Sequence, residues 1–182
     1  MASSNRFVLL DRDGVINEDS DDFVKSPEEW QPIAGSLEAI AMLNAHGYRV
    51  AVISNQSGLA RGLFDEATLA KIHDKMCQLA LENGGEIAAI YYCPHGPDSL
   101  CACRKPKPGL LLQCAAEQGF QLSTTWFIGD SLRDVEAASA AGALPILVKT
   151  GKGEQTVKNN PNLNIPIFAT LYDAAKNLIS GQ

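Results

Sequence analysis

Five apolar runs rich in β-branched and aromatic residues recur along this 182-residue chain: RFVLL (6–10), YRVAVIS (48–54), IAAIYY (87–92), TTWFIG (124–129) and LPILVKT (144–150). Helical patterns follow them in turn: GSLEAIAMLNAHG, DEATLAKIHDKMCQLALENGG, GLLLQCAAEQG, LRDVEAASAAG and finally ATLYDAAKNLIS. In the second pattern Leu69, Ile72, Met76 and Leu79 fall at helical spacing and predict one buried face. Strands that are apolar throughout, alternating with helices, require a parallel sheet covered on both sides. The expectation is an α/β fold with one doubly wound parallel sheet, in a single domain over residues 1–182. The stretch TGKGEQTVKNNPNLNIP (150–166) reads as a surface loop before the last helix.

Composition narrows the function classes. The formal net charge of −6 argues against a nucleic-acid or anionic-membrane surface, which needs a basic patch. No apolar run reaches membrane-spanning length. The opening MASSNRFVLL lacks the charged segment, apolar stretch and small-residue cleavage site of an export signal. A cytoplasmic protein is expected, its five cysteines serving as reduced thiols or metal ligands.

The polar oddities sit where strands end. DRDG follows the first strand, SNQSG the second and GDSLRD the fourth. Ligands of open α/β sheets bind outside the carboxyl ends of the strands, so these segments converge on one rim. Asp11, Asp13 and Asp130 would repel one another there unless a cation sat among them. Oxygen ligands without histidine suit a hard ion, and Mg2+ is the expectation. The plain alternative is that these acids only cap a loop and a helix. Ser54 opens SNQSG, and CRKPKPG adds Arg104, Lys105 and Lys107 as cations for a phosphate.

A second constellation is C-x-H-x5-C-x-C, formed by Cys93, His95, Cys101 and Cys103. Three thiolates and an imidazole complete a closed tetrahedral Zn2+ shell, a structural rather than a catalytic arrangement. Cys77 and Cys114 lie in helical patterns and read as small core residues. His46 reads as a helix C-terminal cap, Trp30 and Trp126 as packing groups, and His73 as a residue without a role.

In order and spacing, DRDGVIN, SNQSG, RKPKPG and GDSLRD resemble the four motifs of the haloacid dehalogenase superfamily of phosphatases. Within it, SNQSGLARGLF, IYYCPHGP and CACRKPKPGLL are similar to the D-glycero-D-manno-heptose 1,7-bisphosphate 7-phosphatases. The resemblance implies that Asp11 attacks phosphorus and that Asp13 serves as general acid and then general base. It implies Mg2+ on Asp11, the Asp13 carbonyl and Asp130, with Ser54 and Lys105 gripping the phosphoryl oxygens. Asp134 would position Lys105 or a metal-bound water. Substrate contacts are implied for Arg12, Asp19, Ser20, Asp21, Asp22, Asn55, Gln56, Ser57, Arg104 and Ser131, beside Asp11, Asp13, Ser54 and Lys105.

The expected partner is a small phosphorylated sugar, met by a monomer without nucleic acid or membrane, in the synthesis of activated heptose for lipopolysaccharide. No cap domain fits between the motifs, which leaves the site open. The zinc loop is shorter than is usual in the resembled family. The rival readings are a histidinol-phosphate phosphatase with the same motifs, a DNA 3′-phosphatase, which the acidic charge disfavours, and a non-enzymatic phospho-receiver. Asp13 speaks against the last, because a receiver needs no general acid.

Overall fold

The computed structural model describes residues 5–181. Residues 1–4, on which the export reading partly rests, lie outside that range, as does Gln182. The strands are β1 (Arg6–Leu10), β2 (Tyr48–Asn55), β3 (Ile87–Cys93), β4 (Trp126–Gly129), β5 (Leu144–Val148) and β6 (Ile167–Phe168). They form one sheet in the order β3-β2-β1-β4-β5-β6, with every pairing parallel. The helices are α1 (Ser36–Ala45), α2 (Glu66–Glu82), α3 (Gly109–Gln118), α4 (Leu132–Ala141), α5 (Gly153–Asn159) and α6 (Leu171–Ser180).

Strand alternation divides the core between the two faces of the sheet. Val8, Leu10, Val50 and Val52 point into one apolar cluster with Leu43, Ile72, Met76 and Leu178 of α1, α2 and α6. Phe7, Leu9, Ala51 and Ile53 point into the other, with Leu110 and Leu111 of α3 and Ala137 and Ala138 of α4. Both faces of β1 are therefore dry from Phe7 to Leu10, which is why that run is apolar without interruption. β3 is apolar but only half buried, because it lies at the sheet edge.

Three expectations need correction. The segment 150–166 contains α5, held by Thr156, whose Oγ1 donates to the Asp130 carbonyl at 2.9 Å. β6 has two residues, too few for any periodicity to reveal. Cys77 is only partly buried and lies outside the core clusters, whereas Cys114 is buried. Trp30 packs in the core, and His46 follows α1 with its Nδ1 2.8 Å from the Met42 carbonyl. Among the described residues no helix is long and apolar enough to cross a membrane.

Candidate active site

The sheet order reverses direction between β1 and β4, which opens a crevice at their carboxyl ends. Asp11 is the first residue beyond β1, and its N–H donates to Ile128 of β4 at 2.9 Å. Asp130 directly follows β4, and Asp134 lies in the first turn of α4. A carboxylate oxygen from each of Asp11, Asp130 and Asp134 falls within 4.8 Å of the others. Two glycines permit this crowding. Gly14 (φ +81°) and Gly151 (φ +56°) press against the Asp130 carboxylate, and a Cβ on either would collide with it.

Lys105 reaches into the cluster from the segment before α3. Its Nζ lies 2.9 Å from Asp11 Oδ1 and 2.7 Å from Asp134 Oδ1, and donates to the Ile53 carbonyl at 3.0 Å. The ammonium is buried, which by itself would lower its pKa, yet Asp11 and Asp134 hold it above the usual lysine value. One cation does not balance three acids. Burial and the charge of Asp134 raise Asp11 well above the carboxylate range, against Lys105. The same two causes push Asp130 up to about 7. Asp134 is buried too, but Lys105 and Ser131 hold it low. This donor set fits a hard divalent ion, which would supply the missing positive charge.

Asp13 is arranged differently. Its Oδ1 accepts from Arg12 Nε at 3.1 Å, Arg12 Nη2 at 2.9 Å and Asn17 Nδ2 at 2.9 Å. Its Oδ2 accepts from Arg12 Nη2 at 3.1 Å and Gln56 Nε2 at 3.0 Å. Burial alone would raise its pKa, but the Arg12 charge and these donors bring it below the ordinary value. The resting Asp13 is an ionised base. A phosphate dianion placed beside it would raise that pKa and so favour the protonated acid.

The cleft measures about 240 Å3 and is lined by Asp11, Asp13, Asn55, Gln56, Ser57, Lys105, Asp130, Ser131 and Asp134. Asp19, Ser20 and Asp21 also line it, while Arg61, Arg104 and Arg133 bring three guanidiniums to the same cleft. That volume is below the roughly 300–1,000 Å3 of most ligand pockets, so the cleft encloses a small group and is open to the rim.

Several predicted residues sit elsewhere. Asp22 does not line the cleft; its N–H donates to Ser20 Oγ and serves the turn. Ser54 lies just beneath the wall, its Oγ accepting from Gln56 Nε2 at 2.7 Å. The hydroxyl hydrogen is left to give. Arg12 lines the cleft as expected, with its guanidinium engaged by Asp13 and His73. Lys152, Arg61, Arg133 and His73 were not foreseen. Lys152 lies in the segment read as loop, and it bridges the cleft to Asp19 at 3.3 Å while its N–H donates to Asp130 Oδ2. Arg133 lies inside GDSLRD and was legible there; His73 is polar on an otherwise apolar face of α2.

The cysteine cluster follows β3. Cys93 Sγ lies 3.1 Å from Cys103 Sγ, 3.7 Å from Cys101 Sγ and 3.5 Å from His95 Nδ1. A tetrahedron with Zn–S arms of ~2.3 Å has edges of ~3.8 Å, so the four ligands are gathered at nearly the right size. Burial pushes the Cys93 thiol up to about 12. For Cys101 burial is outweighed by the Arg104 N–H and Ser99, which bring it down to about 6. One thiol is ready to ionise, and the other needs the metal charge to do so. Arg104 Nη1 donates to the His95 carbonyl at 3.1 Å, tying the cleft to this loop.

A buried lysine among acids that need a cation, with guanidiniums at the rim, suits transfer of a phosphoryl group. On this sheet order it defines a haloacid-dehalogenase-like phosphohydrolase. The HAD-hydrolase-like family model matches residues 102–174. The D-glycero-beta-D-manno-heptose-1,7-bisphosphate 7-phosphatase of Pseudomonas putida is 52% identical over 96% of this chain and 99% of its own. The enzyme of that name from Pseudomonas aeruginosa is 54% identical over 85% of this chain and 86% of its own. The crystal structure of D,D-heptose 1,7-bisphosphate phosphatase from B. bronchiseptica, complexed with magnesium and phosphate, superposes with a TM-score of 0.94 at 47% identity. It covers 97% of this chain and 99% of that one. The chain belongs to this family of heptose-bisphosphate phosphatases.

Proposed function

We propose that the protein removes the C7 phosphate of D-glycero-D-manno-heptose 1,7-bisphosphate and releases the 1-phosphate. The β anomer named for the relatives is the proposed substrate. The observation that carries the reading is the Asp11–Lys105–Asp134 arrangement at the switch point, with Asp130 alongside.

An oxygen of Asp11 attacks phosphorus, the bond to the C7 oxygen breaks, and an aspartyl-phosphate forms. Asp13, protonated as the dianion enters, gives its proton to the departing alkoxide. Water then attacks the aspartyl-phosphate, Asp13 takes its proton, and phosphate leaves with Asp11 restored. Lys105 and the Ser54 hydroxyl hold phosphoryl oxygens, and Asp134 holds Lys105. Asp11, the Asp13 carbonyl and Asp130, with Asp134 adjacent, would hold magnesium, which would supply positive charge to offset that of the transferring group. Cys93, His95, Cys101 and Cys103 would hold zinc, whose charge would stabilise the thiolates and so order the loop that carries Arg104.

Asn55, Gln56, Ser57, Ser131 and the Asp19–Asp21 turn line the path of the sugar, and Arg104 holds the phosphate that is kept. Guanidiniums favour a second phosphate over the cationic amine of histidinol phosphate. The reading places the enzyme in the cytoplasm as a single-domain monomer, in the supply of activated heptose for lipopolysaccharide.

A charge-assisted contact of the Arg104 kind contributes ~1.5–3 kcal/mol, or about one to two decades. Arg104→Ala should lower kcat/KM on the heptose bisphosphate by that factor and leave a small monophosphate nearly unaffected. Equal losses on both would assign Arg104 to the chemistry, and preferred hydrolysis of histidinol phosphate by the wild type would overturn the substrate.

A further inference from the structure

Arg12 is the second-largest fully buried side chain among the described residues, an unusual place for a guanidinium. Its Nε and Nη2 edge is taken up by Asp13. The remaining edge, Nη1, has one hydrogen-bond acceptor among the described residues, His73 Nε2 at 3.5 Å. His73 comes from the middle of α2, is buried, and tilts against the Tyr92 ring with centroids 5.8 Å apart. Burial first, and the Arg12 charge second, hold its imidazole near a pKa of about 4, so it is neutral and can accept. Nε2 must then be the unprotonated nitrogen, with the hydrogen on Nδ1.

We infer that His73 is a positioning residue for the acid–base step, acting through Arg12 to fix the carboxylate of Asp13. The inference rests on the reading of Asp13 as general acid and base. Without His73 the buried Nη1 edge has no partner, and a guanidinium in that state must turn toward another acceptor or admit water. Either movement breaks the two-point grip on Asp13 and changes where its proton is delivered. The helix α2, which contributes nothing else to the cleft, would thereby reach the chemistry from behind.

The test exploits leaving-group basicity. A sugar alkoxide must be protonated as it departs, whereas 4-nitrophenolate leaves without help, and kcat/KM reports only the steps through that departure. General acid catalysis contributes ~10²–10⁴-fold, and a misdirected acid should forfeit a part of it. His73→Leu is expected to lose about tenfold in kcat/KM on a sugar phosphate and less than about threefold on 4-nitrophenyl phosphate. His73→Gln, whose amide oxygen can stand where Nε2 stands, should recover most of the loss. Arg12→Lys, which keeps the charge and loses the fork, should show the same selective loss and serves if His73→Leu does not fold.

Equal losses on the two substrates, or a His73→Gln variant no better than His73→Leu, would overturn the inference. The sugar phosphate used is one that the wild type turns over. Absence of any such substrate would therefore count against the proposed function, and not against the Arg12–His73 link.

Discussion

Replacing Lys105 with Met removes the one ammonium among the described residues that touches both Asp11 and Asp134, at 2.9 and 2.7 Å. The side chains of Lys105 and Asp134 are 3% and 2% exposed, so water cannot take over. Breaking a buried ion pair from one side costs ~3–5 kcal/mol, because the other charge is left uncompensated. For a protein of this size each kcal/mol moves Tm by ~2–4 °C, which gives a fall of ~6–20 °C in magnesium-free buffer. Adding Asp134→Asn removes the stranded charge and should restore most of the stability. It should not restore activity, since the phosphoryl oxygens still lack their ammonium. Thermal unfolding followed by circular dichroism, paired with phosphate release, reads both quantities. A single variant within ~1 kcal/mol of wild type, or a double variant no more stable than the single, would refute the reasoning.

The zinc ligands predict about one equivalent of metal in purified protein; Cys101→Ser should lose it and weaken substrate binding while the sheet stays folded, as metal analysis and circular dichroism would show. Zinc affinity should fall as pH is lowered, because protons compete for thiolates, most of all at Cys93, whose thiol sits at about 12 before metal binds. Without magnesium, Asp130 binds a proton in the folded state from about 7 downward, against an unfolded value near 3.8. The folded state holds more protons in that window, so stability should decline as pH rises from 4 to 7. Saturating Mg2+ should flatten that slope in pH-dependent denaturant titrations. Asp13→Asn should retain magnesium binding and lose at least ~10²-fold in kcat on sugar phosphates.

The fold was legible because the inner strands are buried on both faces along most of their length, as in Phe7–Leu10 and Val50–Ile53, and so carry apolar runs that end at the sheet rim. That is also why Asp11 and Asp130 stood out. What stayed hidden depends on side chains meeting across distant segments. Lys152 belongs to a stretch of glycines and asparagines that reads as loop, and its place over the cleft follows from Gly151 and Gly14 closing on Asp130. His73 looked idle because α2 shows its apolar face to the sheet, and nothing local reveals the guanidinium that turns toward it. Arg12 shows the complementary case: next to a nucleophile, an arginine suggests a ligand for phosphate. Only the fold shows that its edge is already filled by Asp13.

The most direct test of the account follows the two phosphates of D-glycero-D-manno-heptose 1,7-bisphosphate by phosphorus NMR as the magnesium- and zinc-loaded enzyme acts. The C7 resonance should disappear into inorganic phosphate while the C1 resonance persists, and Asp11→Asn should stop the conversion. Loss of the C1 phosphate, or no turnover by an enzyme preparation that readily hydrolyses histidinol phosphate, would contradict the account.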